Sequence, residues 1–427
     1  MNLKNCKVFL FAISSFFSFF FTKEEAKAFE SSSHLVLKVS TFNLGFLHKI
    51  LFNSKPLALR ILIPESITVP GYFQRLNKWK TYAPTYASDK DILLLQEVFG
   101  KSHSDTVFYL QKKFYPFMPD NNTVKASGLA LFVKKDLIDF NKPRSSGFVK
   151  FLAKETANYN NVVGVPRGFL WAKFFPKNSN TPIFIINTHL DASTYYYPNN
   201  DLRKKQLHKI KNFIKKNSKF PSHLIFGGDL NFSDLYEDGV IYKVTEDLEK
   251  KQNIASDLKL YKEEIAPYFI DTYRVKNPTS KGHTYSDAQN IAALFHPLTE
   301  SSPQQRLDVI FIQTSQSSSE ILVRNSEVGC KEHFDDIKIP LNQHHWDIFN
   351  QQNFKVSYQN ISPDQLKSFR QTPPKTIPGP ISDHFCLNST VEFRTILTQV
   401  KNKNQNNENK IKQTSSQKPL AINLTKS

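Results

Sequence analysis

The chain has 427 residues, 40% of them hydrophobic, with three cysteines and a formal net charge of +18. That length buries a substantial core without staples, which excludes a small cysteine-framed scaffold. The positive excess calls for an anionic partner, nucleic acid or acidic lipid headgroups, without choosing between them.

In chain order, residues 1–28 read as an export signal: Lys4 and Lys7, the apolar run "VFLFAISSFFSFFF" from Val8 to Phe21, then a small-x-small site at Ala26, Lys27 and Ala28. The mature chain is expected to begin at Phe29, in the periplasm or outside the cell. The run is too short to span a bilayer comfortably, and no later stretch resembles a membrane span. Cys6 falls in this segment, leaving Cys330 and Cys386. Two unrelated thiols are favoured over a disulfide, which would need an oxidising compartment.

Short runs rich in Val, Ile, Leu and Phe then recur between turn signals, a pattern of layered α/β architecture. Strands are expected at His34 to Asn43, Asp91 to Val98, Ser127 to Lys135, Gly168 to Phe175, Ile183 to Leu190, His223 to Asn231 and Arg306 to Ile312. A last one starts near Phe385. Several are apolar on both faces, so both faces should be covered. Helices are expected from Ser104 to Phe114, from Asp201 to Lys216, where Leu202, Leu207, Ile210 and Ile214 share a face, and from Val244 to Leu260. The stretches 51–88 and 313–380 read as insertions within one catalytic domain, 29–398. The polar segment 399–427 reads as a disordered tail.

Strand after strand ends in a residue suited to metal or phosphate chemistry: Asn43, Glu97, His189, Asp229 with Asn231, Asp308, and Asp383 with His384. Taken singly, each is a cap or turn residue; in "HLIFGGDLNFSD", Gly227 and Gly228 would let the chain turn at the strand end. Six such endings favour one pocket. Carboxylates about 4 Å apart repel by roughly 4 kcal/mol at an effective dielectric of 20, so four of them need a divalent cation. Oxygen donors without cysteine favour Mg²⁺ over zinc, with Mn²⁺ or Co²⁺ as substitutes. The two histidines become candidates for proton transfer.

The segments "TFNLGF", "LLLQEVFG", "INTHLDAS", "FGGDLNFS", "RLDVIF" and "ISDHF", in this order, resemble the endonuclease/exonuclease/phosphatase superfamily. The resemblance implies a DNase I-like four-layer α/β sandwich, two packed mixed β-sheets flanked by helices. "QEVFG", "SGLALF", "NTHLDA" and the stretch from His283 to Phe311 resemble its neutral sphingomyelinase branch, which implies hydrolysis of sphingomyelin to ceramide and phosphocholine. By matching motif, Glu97 resembles the main Mg²⁺ ligand, with Asn43 beside it and Asp383 at a second or shared metal position. Asp229 and Asn231 resemble the pair that orients water and phosphate. His384 resembles the general base, oriented by Asp308, and His189 the group serving the phosphoryl oxygens or leaving alkoxide.

A lipid hydrolase must reach a bilayer. Leu294 and Phe295 in "IAALFHP" are candidate insertion residues, and Tyr195, Tyr196 and Tyr197 are candidates to face a choline ammonium. Ordinary packing is the competing reading for both. The expected partners are a phospholipid surface and sphingomyelin, met by a monomer. A secreted DNase I-like nuclease that holds nucleic acid on its basic surface is the alternative; a phosphoinositide phosphatase and a non-catalytic binding protein of the same fold follow.

Overall fold

Along each buried strand, odd and even residues enter different cores. The structure is a computed structural model that describes residues 34–46, 71–119, 122–156, 165–192, 200–217, 222–232, 257–285, 290, 292, 305–314, 319–340, 368 and 375–395. In β1 (His34–Asn43), β2 (Ile92–Gln96) and β4 (Ala130–Lys134), the side chains of Leu37, Val39, Ile92, Leu94, Leu131 and Val133 lie in one cluster. Their neighbours Phe42, Leu93, Leu95, Ala130 and Phe132 lie in another, against helix α1 (Tyr72–Tyr86) and helix α2 (Gly100–Leu110).

A second sheet repeats this division. In β7 (Ile183–His189), β8 (His223–Asp229) and β10 (Asp308–Thr314), Ile183, Ile185, Ile225, Ile310 and Ile312 join the first sheet's inner face. Phe184, Ile186, Leu224, Phe226, Val309 and Phe311 turn outward to Leu207, Ile210 and Ile214 of the helix Asn200–Asn217. Period-two alternation with both faces apolar thus gives helix, sheet, sheet, helix: the four-layer α/β sandwich. Burial of both faces is worth roughly 25 cal/mol per Å² of apolar surface, the main stabilising contribution here.

With β3 (Phe114–Pro116), β11 (Ser319–Gly329) and β14 (Cys386–Thr395), the first sheet runs β11-β14-β1-β2-β4-β3. With β5 (Ser145–Lys150), β6 (Gly168–Phe174) and β9 (Ile270–Asp271), the second runs β5-β6-β7-β8-β10-β9. Each sheet holds one parallel pair, β1 with β2 and β7 with β8, and all its other pairings are antiparallel. A parallel pair needs a crossover, and α1 and the helix Asn200–Asn217 lie on these connections. A buried amide bridge joins the sheets: Asn187 Nδ2 donates to Leu95 O and Ala130 O, both at 2.9 Å, and Gln96 Nε2 donates to Asn187 Oδ1 at 2.7 Å.

The structure corrects several expectations. The helix expected from Ser104 begins four residues earlier, at Gly100, and ends at Leu110; Phe114 opens β3 instead. The expected insertion 51–88 contributes α1, whose Leu76, Trp79, Ala83 and Tyr86 sit in the core, so this part is a structural layer. The stretch 313–380 holds β11, an integral strand of the first sheet, and the hairpin of β12 (Phe334–Pro340) with β13 (Thr376–Gly379). Cys330 and Cys386 are paired, with an S–S distance of 2.02 Å, rather than two unrelated thiols. Gly227 and Gly228 lie inside β8, not in a turn. A β-carbon at Gly228, whose φ is 130°, would meet Thr188 O of the adjacent strand at 2.0 Å. Of the helix expected at Val244 to Leu260, residues 257–260 are described and helical. The export signal and the polar tail lie outside the described residues. Among the described residues no helix is long and apolar enough to cross a membrane.

Candidate active site

The topology collects the polar residues at one end of both sheets. Asn43 ends β1 and Glu97 follows β2, while His189 ends β7 and Asp229 ends β8, so four residues stand at the carboxyl ends of the two parallel pairs. Asp308 and the Asp383–His384 pair differ from the expectation of strand endings. Asp308 begins β10, and Asp383 and His384 precede β14; both strands are antiparallel to their neighbours, so their starts meet the others' ends. Register aligns His189 with Asp229 and Asp229 with Asp308 across three adjacent strands.

Asp229 is the centre, buried at 1% exposure. Its Oδ2 accepts from Asn43 Nδ2 at 2.9 Å and lies 3.5 Å from His189 Nε2 and 3.9 Å from His384 Nε2. Its Oδ1 accepts from the Asn231 backbone N–H at 2.8 Å, while Asn231 Nδ2 donates to Leu190 O at 2.9 Å. Asn43 Nδ2 also lies 3.4 Å from Glu97 Oε1, and Asn43 Oδ1 accepts from Gly45 N at 3.0 Å. His384 Nδ1 bonds Asp308 Oδ2 at 2.8 Å, so its Nε2 faces Asp229. Glu97 and Asn231 hold φ of 55° and 52°, a left-handed conformation that costs a non-glycine residue about 1–3 kcal/mol and recurs at functional sites.

Burial and mutual charge shift these groups. Burial pushes the Glu97 carboxyl up to about 7, with Asp383 adding to the rise and His384 and Arg167 opposing it. Burial also raises the Asp308 carboxyl to about 6, against the attraction of His384. Burial by itself would lower His384, but Asp308, Asp383 and Asp229 outweigh it and raise the imidazole to about 10. His189 goes the other way, held well below 6.5 by burial, then by Arg167 and His384. Two histidines with opposite tendencies in one site suit opposite proton-transfer roles.

The donor chemistry fits a divalent cation. Donor atoms of Asp229, Asp308 and His384 lie within 4.8 Å of one another, and Asp308 Oδ1 is buried with no hydrogen-bond partner among the described residues. A buried carboxylate oxygen left so is costly unless something positive binds it. Glu97 and Asp383 add two carboxylates beside this group.

Glu97 yields a pH test. A carboxyl whose folded value is raised above 4.5 to about 7 keeps in the folded state a proton that the unfolded chain releases, so stability falls as pH rises through that window. With 22% of the side chain exposed, the loss is on the order of 2 kcal/mol. In the cation-free protein, thermal midpoints of wild type and Glu97→Gln are expected to differ more at pH 8 than at pH 4.5, the variant gaining relative stability. A constant difference would remove Glu97 as the cause.

Several supporting residues had been given no role from sequence. Thr284 Oγ1 accepts from the backbone N–H groups of Leu307 and Asp308 at 3.0 Å each, and Tyr285 bridges to His384 and packs its ring 5.1 Å from the imidazole. Thr284 and Tyr285 thus brace the His384–Asp308 pair. Ser382 Oγ donates to Asn43 O at 2.6 Å and accepts from His384 N at 3.1 Å. Arg167, just before β6, lies 3.7 Å from Asp191 Oδ1 and contributes positive potential at Glu97 and His189. No sequence signal separates it from other surface-type arginines. Leu294, Phe295, Tyr195, Tyr196 and Tyr197 lie outside the described residues.

Residues 40–313 match the model of the Endonuclease/Exonuclease/phosphatase family. The chain is 24% identical over 175 residues to Sphingomyelinase C of Bacillus cereus, covering 36% of this chain and 49% of that protein, so it spans about half the length of this curated relative. Among solved structures, beta toxin of Staphylococcus aureus superimposes with a TM-score of 0.49 at 17% identity, covering 83% of this chain and 99% of that one. TDP2 of D. rerio with a single-strand DNA product gives 0.46 at 15% identity, covering 83% and 98%. At these values nothing about chemistry follows from the structural likenesses. The family match spans β1 to β10 and includes Asn43, Glu97, His189, Asp229, Asn231 and Asp308: the chain belongs to the Endonuclease/Exonuclease/phosphatase family, whose members are hydrolases acting on phosphodiester bonds.

Proposed function

We propose that the chain is an exported, Mg²⁺-dependent phosphodiesterase that cleaves sphingomyelin into ceramide and phosphocholine at a phospholipid surface. The observation that carries the phosphodiesterase part is the buried group in which Asp229 faces Asn43, His189 and His384 at 2.9, 3.5 and 3.9 Å, with Asp308 on the far nitrogen of His384. The sphingomyelin part is supported by the partial identity to Sphingomyelinase C and by the resemblance of the stretch from His283 to Phe311 to the sphingomyelinase branch, within which Thr284 and Tyr285 contact the Asp308–His384 pair.

Glu97, Asp383 and Asn43 would hold the cation, with Asp229 and Asp308 near enough to share it. When bound, it supplies charge that neutralises the carboxylates, polarises a phosphoryl oxygen and relieves the upward pull on His384. Asp308 fixes the His384 tautomer with Nδ1 toward the carboxylate, leaving Nε2 to take the proton of the attacking water. Asp229 and Asn231 orient that water and the phosphate. His189, held neutral by burial, would offer a ring N–H to the phosphoryl oxygens, and the cation, when bound, would take up the charge of the departing ceramide alkoxide.

The test is to incubate the protein with Mg²⁺ and, separately, labelled sphingomyelin, phosphatidylcholine and plasmid DNA. Phosphocholine release from sphingomyelin, abolished by a chelator, is expected. Nicked DNA with intact sphingomyelin would overturn the substrate and favour the nuclease reading, with which the net charge of +18 is equally compatible.

A further inference from the structure

Arg75 is a fully buried cation on α1 with its guanidinium spent on backbone oxygens. Nη1 donates to Leu44 O at 3.3 Å and to Ile381 O at 2.8 Å, and Nη2 donates to Gly45 O at 2.7 Å. Leu44 and Gly45 follow Asn43; Ile381 precedes Asp383 and His384. One planar fork therefore spans two loops from distant parts of the chain, each carrying residues of the site. The loops also approach closely by themselves. Gly45 has a φ of 57°, and a β-carbon there would lie 2.5 Å from Asp383 Oδ1.

We propose that Arg75 is a positioning residue of the active site, a clamp that sets the spacing between the Asn43 loop and the Asp383–His384 loop so that their donors meet one divalent cation. It rests on the reading of this site as a cation-dependent phosphodiesterase. Its charge adds to the effect. The field of Arg75 reaches both Asp383 and Glu97, and burial holds its own value down to about 10, so it stays cationic at neutral pH. A fixed positive charge beside two carboxylates lowers the repulsion that would spread the cradle before the cation arrives. Lysine, with a point charge and no fork, cannot span three carbonyls in this geometry. Ser382 Oγ on Asn43 O ties the same two loops by a second, uncharged link, so loss of Arg75 loosens the cradle without releasing it.

The experiment uses the full chain as Arg75→Lys, Arg75→Met and Arg75→Gly, with folding followed by circular dichroism and thermal midpoint. Mg²⁺ affinity is measured by calorimetry per folded molecule, and turnover on whichever phosphodiester the wild type cleaves. Mg²⁺ affinity and kcat are expected to fall on the order of 10- to 100-fold in Arg75→Lys and Arg75→Met, with KM little changed. Added guanidinium is expected to restore part of both in Arg75→Gly. Wild-type Mg²⁺ affinity and kcat per folded molecule in Arg75→Lys would overturn the clamp, as would a lower midpoint with unchanged affinity. If the wild type binds Mg²⁺ but spares sphingomyelin, the substrate proposal fails and the clamp is still decided. If the wild type binds no divalent cation, both fall.

Discussion

His384→Ala is expected to leave a folded protein whose cation-dependent phosphodiester hydrolysis is lower by on the order of 1,000-fold, the usual size of a general acid–base contribution. The imidazole has one nitrogen 2.8 Å from Asp308 Oδ2 and the other 3.9 Å from Asp229 Oδ2, so it joins the only two acidic partners that β8 and β10 present in register. Alanine removes the proposed proton acceptor and also leaves the Asp308 carboxylate buried without its partner. Breaking such a pair costs about 3–5 kcal/mol, so the thermal midpoint should fall as well. That loss separates the two effects. Asp308→Asn keeps a hydrogen bond to the ring but no charge, and it should retain more turnover than His384→Ala. Turnover assays on both variants, normalised to folded fraction, check the order; wild-type turnover in His384→Ala would reject the base role.

The Cys330–Cys386 link should contribute most of any single covalent stabilisation. It closes a loop of 56 residues between β11 and β14. Chain-entropy arithmetic for that length gives about 4 kcal/mol, and a paired Cys330→Ala, Cys386→Ala variant is expected to lose that much in denaturant unfolding. The consequence reaches the site, because Cys386 stands two residues after His384 and its register partner Gly329 anchors the start of β14 to the sheet. Turnover should therefore fall before global unfolding as denaturant rises, earlier than in wild type. Coincident loss of activity and structure at the wild-type midpoint would exclude the link from supporting the site. Reductant should mimic the double variant, which ties activity to an oxidising compartment and agrees with the proposed export.

Much of this was legible in one sequence because the signals were local. Runs such as "DILLLQEV" and "HLIFGGD" carry apolar residues at odd and even positions alike, and their short length between turn signals reads as strands with two covered faces. The polar residues at their boundaries stood out against those runs. Strands with weaker patterns were missed. β5, "SSGFVK", is an edge strand with no buried residue, and β11 mixes charges with apolar residues because one side lies at a sheet edge. The helix beginning at Gly100 was displaced because its N-cap, Phe99, carries no capping side chain to mark the start.

The sequence by itself determined the two-sided burial of the central strands, the order of the polar residues along the chain, and the hard-oxygen character of the donors. These are properties of neighbouring residues. Only the tertiary structure decided that Asp229, Asp308, His189 and His384 meet, because their contact depends on one parallel and one antiparallel pairing in register. It alone showed that Asp308 and His384 enter from strand starts rather than strand ends, that Cys330 and Cys386 pair, and that Arg75 joins two site loops. Each of these joins residues far apart in sequence, from 30 positions between Arg75 and Gly45 to 306 between Arg75 and Ile381. Local spacing carries no information across such separations; strand register and the packing of α1 on the first sheet supply it.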